Sequence, residues 1–213
     1  MTDNERFSEE ALDKLRGEIM GKMSVKRFSH TLGVEKKAEE LCALFAPEKT
    51  GMMRAAALLH DITKELSTEE QLMLCKKYGI TPDADALAAP KLLHSLTAAA
   101  VIPDVFPQFA VPELLRAVSV HTAGSEDMNI YDRILYLADY IEDTRTFEDC
   151  VRLRQYFDDG IARSTTAEER QAVLSRTMLL SFDMTVKDLI ESGKSLAVVT
   201  VRSRNAMLRE CRG

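Results

Sequence analysis

The chain has four histidines, His30, His60, His94 and His121, and each falls on helical spacing with apolar neighbours. His30 is in line with Val34, Ala38, Leu41 and Phe45. His60 shares a face with Met53, Ala56 and Ala57, and His94 shares one with Ala98 and Val101. His121 follows Leu114 and Val118 at seven and three residues. Side chains spaced by three, four or seven residues lie on one helix face, so all four imidazoles are expected to point inward. One inward histidine is ordinary core chemistry, hydrogen-bonded to a neighbour. Four of them would each need a buried polar partner, and convergence on a common centre meets that need at once. Metal ligation is the commonest reason for imidazoles to converge.

Two carboxylates join them. Asp61 comes directly after His60; adjacent residues on a helix point ~100° apart, so both reach one ion only at a helix end. Asp139 stands at the margin of the stripe Ile134, Ala138 and Ile141. A carboxylate there is costly unless it is paired or bound to a cation.

The elements that must position these residues read as nearly all α. Ala11, Leu12, Leu15 and Ile19 form a first amphipathic helix ending near Gly21, and Ser24 caps a second that runs to Pro47. Met52 to Ile62 is a short alanine-rich helix, and Ser67-Thr68-Glu69-Glu70 opens another through Lys77, closed by Gly79. Further helices are expected from Pro90 to Val101, from Pro112 to near His121 and Gly124, and from Asp127 or Asn129 to about Thr146. Phe147 to Asp158, Thr166 to Ile190 and Ser203 to Cys211 complete the set. Ala197 to Val201 is β-branched and reads as extended, while Pro103, Pro107 and Pro112 crowd one connection. The expected architecture is an all-α, compact helical bundle.

Composition narrows the partners. At 213 residues and 46% hydrophobic the chain can bury a sizeable core as one domain. The formal charge of −6 argues against a nucleic-acid partner bound by broad phosphate neutralisation, yet leaves room for a small phosphorylated ligand met by a local cationic cluster. No apolar run approaches the ~18–20 residues of a membrane span, and the polar N-terminus is no secretory signal. Cys42, Cys75, Cys150 and Cys211 form no Cys-x-x-Cys pair and suit a reducing cytoplasm.

The order His30, His60-Asp61, Asp139 resembles the H…HD…D pattern of the HD superfamily, which are all-helical, metal-dependent phosphohydrolases. Arg27-Phe28-Ser29-His30-Thr31-Leu32-Gly33-Val34, His60-Asp61-Ile62-Thr63-Lys64-Glu65, His94-Ser95, His121-Thr122-Ala123-Gly124 and the stretch from Ile134 to Glu142 together resemble the bacterial YqeK family. That family comprises symmetrical bis(5'-nucleosyl)-tetraphosphatases, which use bound iron to cut diadenosine tetraphosphate into two ADP. The resemblance runs from about Arg27 to Arg145 and on towards Asn205. It leaves residues 1–22 as an N-terminal helical extension of an HD domain over 23–213, and a homodimer is compatible with it. The family's usual second threonine after the fourth histidine is Ala123 here.

On this reading His30, His60, Asp61 and Asp139 supply four ligands to a divalent transition metal. The mixed nitrogen and oxygen set suits Fe, Mn, Co, Ni or Zn rather than Mg or Ca, and the resemblance points to iron. Water on such an ion has its pKa lowered from ~15.7 towards ~7. Asp61 is the candidate to orient or deprotonate it, with His60 and Lys64 as catalytic neighbours. His94 and His121 either hold a second ion or hydrogen-bond the phosphates. Arg27, three residues before His30, and Arg145, six after Asp139, are candidate phosphate contacts, and arginine's fork suits that task. Thr122 joins them as a substrate contact, and Thr200 to Asn205 resembles a segment that reaches the nucleoside, with Asn205 its candidate. Tyr136 and Tyr140 are candidates to stack on a base, with core packing the stronger reading.

Two other readings keep the fold. One is hydrolysis of a different nucleotide, whether a nucleoside monophosphate, a deoxynucleotide or a guanosine alarmone. The other is a catalytically silent nucleotide sensor.

Overall fold

The computed structural model describes residues 2–212. Twelve α-helices and no strand occur among them: α1 (Asp3–Arg6), α2 (Glu9–Met20), α3 (Val25–Phe45), α4 (Thr50–Leu59), α5 (Thr68–Lys77), α6 (Ala84–Ala88), α7 (Leu93–Val105), α8 (Pro112–Val120), α9 (Ile130–Ile141), α10 (Glu148–Arg163), α11 (Ala167–Glu191) and α12 (Val198–Arg212). Their starts are written in the local sequence. Ser24 accepts a hydrogen bond from Arg27 N, while Ser67 with Glu70, Asn129 with Asp132 and Thr166 with Glu169 form reciprocal capping boxes.

At the centre lies α4, where Ala55, Ala56, Ala57, Leu58 and Leu59 are all fully buried. The small alanines let α2, α3, α8 and α9 pack around it at close range. Beyond α9, the helices α10, α11 and α12 form an outer group through Leu153, Phe157, Met178, Phe182 and Met207, within the same apolar core. Leu12, Leu15 and Ile19 of α2 also belong to that core. Helix α2, within the N-terminal segment, is therefore packed into the bundle. A buried carboxylate fastens it: Glu35 accepts from Arg16 Nε at 2.9 Å and from Arg54 Nε at 3.0 Å.

Four expectations need correction. Val198 to Val201 is helical rather than extended, because α12 begins at Val198 and packs on α11, where tertiary burial outweighs β-branched propensity. Helix α9 stops at Ile141, short of Thr146, because Glu142 turns to ψ 152° and its carboxylate takes the Thr144 N–H at 2.6 Å. Helix α10 runs on to Arg163, past Asp158, with Leu153 and Phe157 buried beneath it. Pro103 sits inside the last turn of α7 rather than in the connection, where its missing N–H removes only one ladder bond. The short helices α1 and α6 lie in stretches with no apolar periodicity.

Candidate metal centre

Helix α4 ends at Leu59, and the chain tightens into successive i to i+3 turns, Ile62 N to Leu59 O and Lys64 N to Asp61 O. That departure from the helix lets His60 and Asp61, adjacent in sequence, face one centre. The other donors arrive from separate elements. His30 comes from the second turn of α3, His94 from the first turn of α7, His121 from the end of α8 and Asp139 from the last turn of α9.

Three of the imidazoles are aimed in the same way. His60 Nδ1 donates to Ala57 O at 2.6 Å, His94 Nδ1 to Lys91 O at 2.5 Å and His121 Nδ1 to Val118 O at 2.7 Å. A carbonyl can only accept, so each Nδ1 carries the proton and each Nε2 presents a bare lone pair. For His30 the acceptor is a carboxylate, Glu142 Oε1 at 3.0 Å. This pattern of a ligand histidine tethered through its second nitrogen recurs at metal sites. Glu142 is fully buried, and it approaches so closely because residue 33 is glycine: a Cβ there would overlap Glu142 Oε2. Thr63 and Thr97 fix the third histidine, since Thr63 Oγ1 donates to His94 O at 3.0 Å and Thr97 shares a buried network with Gln71.

The four Nε2 atoms meet two carboxylates. Asp61 is divided between them: its Oδ2 lies 3.3 Å from His60 Nε2 and 3.8 Å from His30 Nε2, while its Oδ1 lies 3.2 Å from His94 Nε2 and 3.7 Å from His121 Nε2. Asp139 Oδ1 is 3.0 Å from His30 Nε2 and 3.9 Å from His60 Nε2. Two sets of donors are close enough to share a cation, His30 with His60 and Asp139, and His60 with Asp61 and His121. Buried and without a hydrogen bond are His30 Nε2, His60 Nε2 and Asp61 Oδ1. His94 and His121 bring their Nε2 atoms within 3.0 Å of each other. Facing lone pairs repel, and orphaned buried polar atoms are costly. Bound divalent metal would satisfy these atoms, and the donor chemistry fits it.

Electrostatics agree with that fit. Burial disfavours a charge on Asp61, yet its carboxyl is held well below the usual range by His60, His121 and His94 in their protonated forms, the place a cation takes when the rings are neutral. Asp139 is likewise depressed against its burial by Arg145 and His30. Burial pushes His94 down to about 4, which keeps the ring neutral and its lone pair available. Both acids are thus anionic near neutral pH, as ligands must be.

Cations rim the centre. Arg27 Nη1 donates to Asp61 Oδ2 at 2.6 Å. Arg145 Nε donates to Asp139 O at 2.7 Å, and its Nη2 also pairs with Asp139 Oδ1. Lys64 Nζ lies 3.0 Å from His94 Nε2, and burial lowers its pKa from the ordinary lysine value. Thr122 Oγ1 is 3.1 Å from His94 Nε2. Lys64, His121, Thr122, Asp139 and Arg145 all line a cavity of about 540 Å³ beside the centre.

Of the sequence candidates, His30, His60, Asp61, His94, His121 and Asp139 come together, with Arg27, Lys64, Thr122 and Arg145 around them. Asn205 stands apart, exposed on α12 and accepting from its neighbour Arg204. Tyr136 is a buried residue packed against Phe182, and both it and Tyr140 line the cavity. Sequence reasoning missed Glu142 as the partner of His30, and Thr63 as the support of His94. Glu142 lies one turn beyond Asp139, a carboxylate just past a buried stripe, and that was its one legible signal.

Residues 27–144 match the HD domain family. The chain belongs to that family. The match spans every converging histidine and carboxylate, from His30 to Glu142. Over most of its length the chain is similar to a crystal structure from Clostridium acetobutylicum, described as a predicted HD superfamily hydrolase involved in NAD metabolism. Identity is 30%, the TM-score is 0.79, and 93% of this chain and 97% of that one are covered. A Staphylococcus aureus protein named symmetrical bis(5'-nucleosyl)-tetraphosphatase is 25% identical over 82% of this chain and 88% of its own length. A Bacillus subtilis protein of the same name is 29% identical over 57% of this chain and 63% of its own.

Proposed function

We propose that the protein hydrolyses diadenosine tetraphosphate and related dinucleoside polyphosphates symmetrically, giving two ADP. The observation that carries this is the convergence of four imidazoles and two carboxylates beside a cavity whose wall includes Lys64 and Arg145 as well as the acidic Glu148, Asp149 and Asp188. The names of the Staphylococcus and Bacillus relatives support the substrate.

His30, His60, Asp61 and Asp139 would hold one divalent cation, with His94 and His121 placed to hold a second. When bound, such ions supply Lewis acidity to a phosphoryl oxygen and make water acidic enough to give hydroxide near neutral pH. The chain's own residues do the rest. Asp61 orients the attacking water, and Glu142 keeps the His30 ring in the tautomer that points its Nε2 inward. Arg27, Lys64, Arg145 and the Thr122 hydroxyl lie where the non-bridging oxygens of a polyphosphate gather charge, and neutralising that charge is the main task in phosphoryl transfer. The mixed donor set is one that iron accepts, and we take iron as the resident metal.

No helix among the described residues is long and apolar enough to cross a membrane. Cys42, Cys75 and Cys150 are buried free thiols, which supports a reducing, cytoplasmic setting.

The deciding experiment supplies diadenosine tetraphosphate to protein purified without air and assayed with iron or manganese. Two ADP are expected as the only nucleotides, with His60→Ala and Asp61→Asn abolishing their release while the far-ultraviolet circular dichroism stays helical. Formation of AMP and ATP, or full turnover in both variants, would refute the assignment.

A further inference from the structure

Of the eight phenylalanines in the chain, seven are buried or half-buried. Phe147 is 70% exposed. It occupies the N-cap of α10, a position that favours a short polar side chain, and it makes no side-chain cap bond there. Exposure of a single apolar residue means little by itself. Its placement carries more. Phe147 lines the cavity of about 540 Å³ together with Tyr140 and Leu189, and the same cavity has Asp139 and Arg145 on its wall. One continuous space thus runs from the cations of the metal centre to an open aromatic ring. Its volume lies within the ~300–1,000 Å³ of small-molecule sites.

A dinucleoside tetraphosphate has two nucleosides, one on either side of the bond that is cut, and each needs a seat. We propose that Phe147 stacks on the base of the nucleoside that lies on the Arg145 side, making this cavity the seat of one half of the substrate. The inference rests on the proposed hydrolysis of such substrates. Every base has a π-face, and stacking on an aromatic side chain tolerates its identity, so Phe147 gives affinity without strong base selection.

The chain contains no tryptophan, so Phe147→Trp would place a single indole at the ring's position. In the metal-loaded protein ADP is expected to quench that fluorescence saturably, while inorganic tripolyphosphate leaves it unchanged. In parallel, Phe147→Ala should raise KM for diadenosine tetraphosphate about tenfold, equivalent to ~1.4 kcal/mol, with kcat altered by less than about twofold, and Phe147→Tyr should restore KM. An indole silent to saturating ADP, equal quenching by tripolyphosphate, or an unchanged KM in Phe147→Ala would overturn the proposal. Its failure is separable from that of the hydrolase reading. Normal turnover with a silent indole removes the stacking alone, whereas saturable quenching by ADP without turnover removes the activity and keeps the stacking.

Discussion

Three of the four converging imidazoles owe their direction to a carbonyl three residues earlier in the chain, and only His30 depends on a distant side chain. Damage at Glu142 should therefore be selective. Glu142→Ala is expected to weaken metal binding ~10–100-fold, the usual effect of removing such a tether, with the other histidines still held. Competition with a coloured chelator would measure it, and an unchanged affinity would show that His30 is oriented without its partner. Gly33→Ala reaches the same contact from the opposite side. Its methyl would displace the Glu142 carboxylate and destabilise the fold by about 1–3 kcal/mol, readable as a lower urea midpoint. The inward set of His30, His60, His94 and His121 was legible in the sequence because each sits on a 3.6-residue stripe. The roles of Glu142 and Thr63 were not, since beyond the position of Glu142 one turn past Asp139 a tethering partner is found only when helices are placed side by side.

At the level of the helices, polar punctuation was the readable part. Ser24, Ser67, Asn129 and Thr166 each mark a start that the structure keeps. The ends were harder, because Ile141 and Arg163 stop where tertiary contacts dictate, and Val198 to Val201 became helical through packing on α11. Helix α12 is fastened to α9 by Glu210, which accepts from Arg133 Nη1 at 2.7 Å and Nη2 at 2.6 Å and from Ser175 Oγ at 2.6 Å. Arg133 holds the Glu210 carboxyl below its ordinary value of 4.5. A depressed acid contributes stability that is present above its unfolded pKa and lost as pH falls through the folded one. Wild type should therefore melt above Glu210→Gln at pH 7, and the gap should close on acidification below about 4.5. A gap that persists at low pH would assign the effect to packing rather than charge.

For the molecule as a whole, the helical bundle and its suitability for a small ligand could be read from composition and spacing. The depth to which the N-terminal helical extension is buried could not be read there, because burial depends on what an amphipathic face meets. Leu12, Leu15 and Ile19 are almost wholly buried, and Arg16 serves the buried Glu35. Deleting residues 2–21 should lower unfolding free energy by roughly 5 kcal/mol or more, at ~1.5–3 kcal/mol for each lost apolar side chain. Denaturant titration would show this. A loss near zero would make the segment a true extension. The centre itself carries a further implication through Asp61. On the two-cation reading proposed above, one carboxylate turned by both histidine groups couples their occupancy, since fixing either oxygen also orients the other. Filling the apoprotein with metal should then give a sigmoidal isotherm, and replacing Asp61 with asparagine should flatten it into two independent steps.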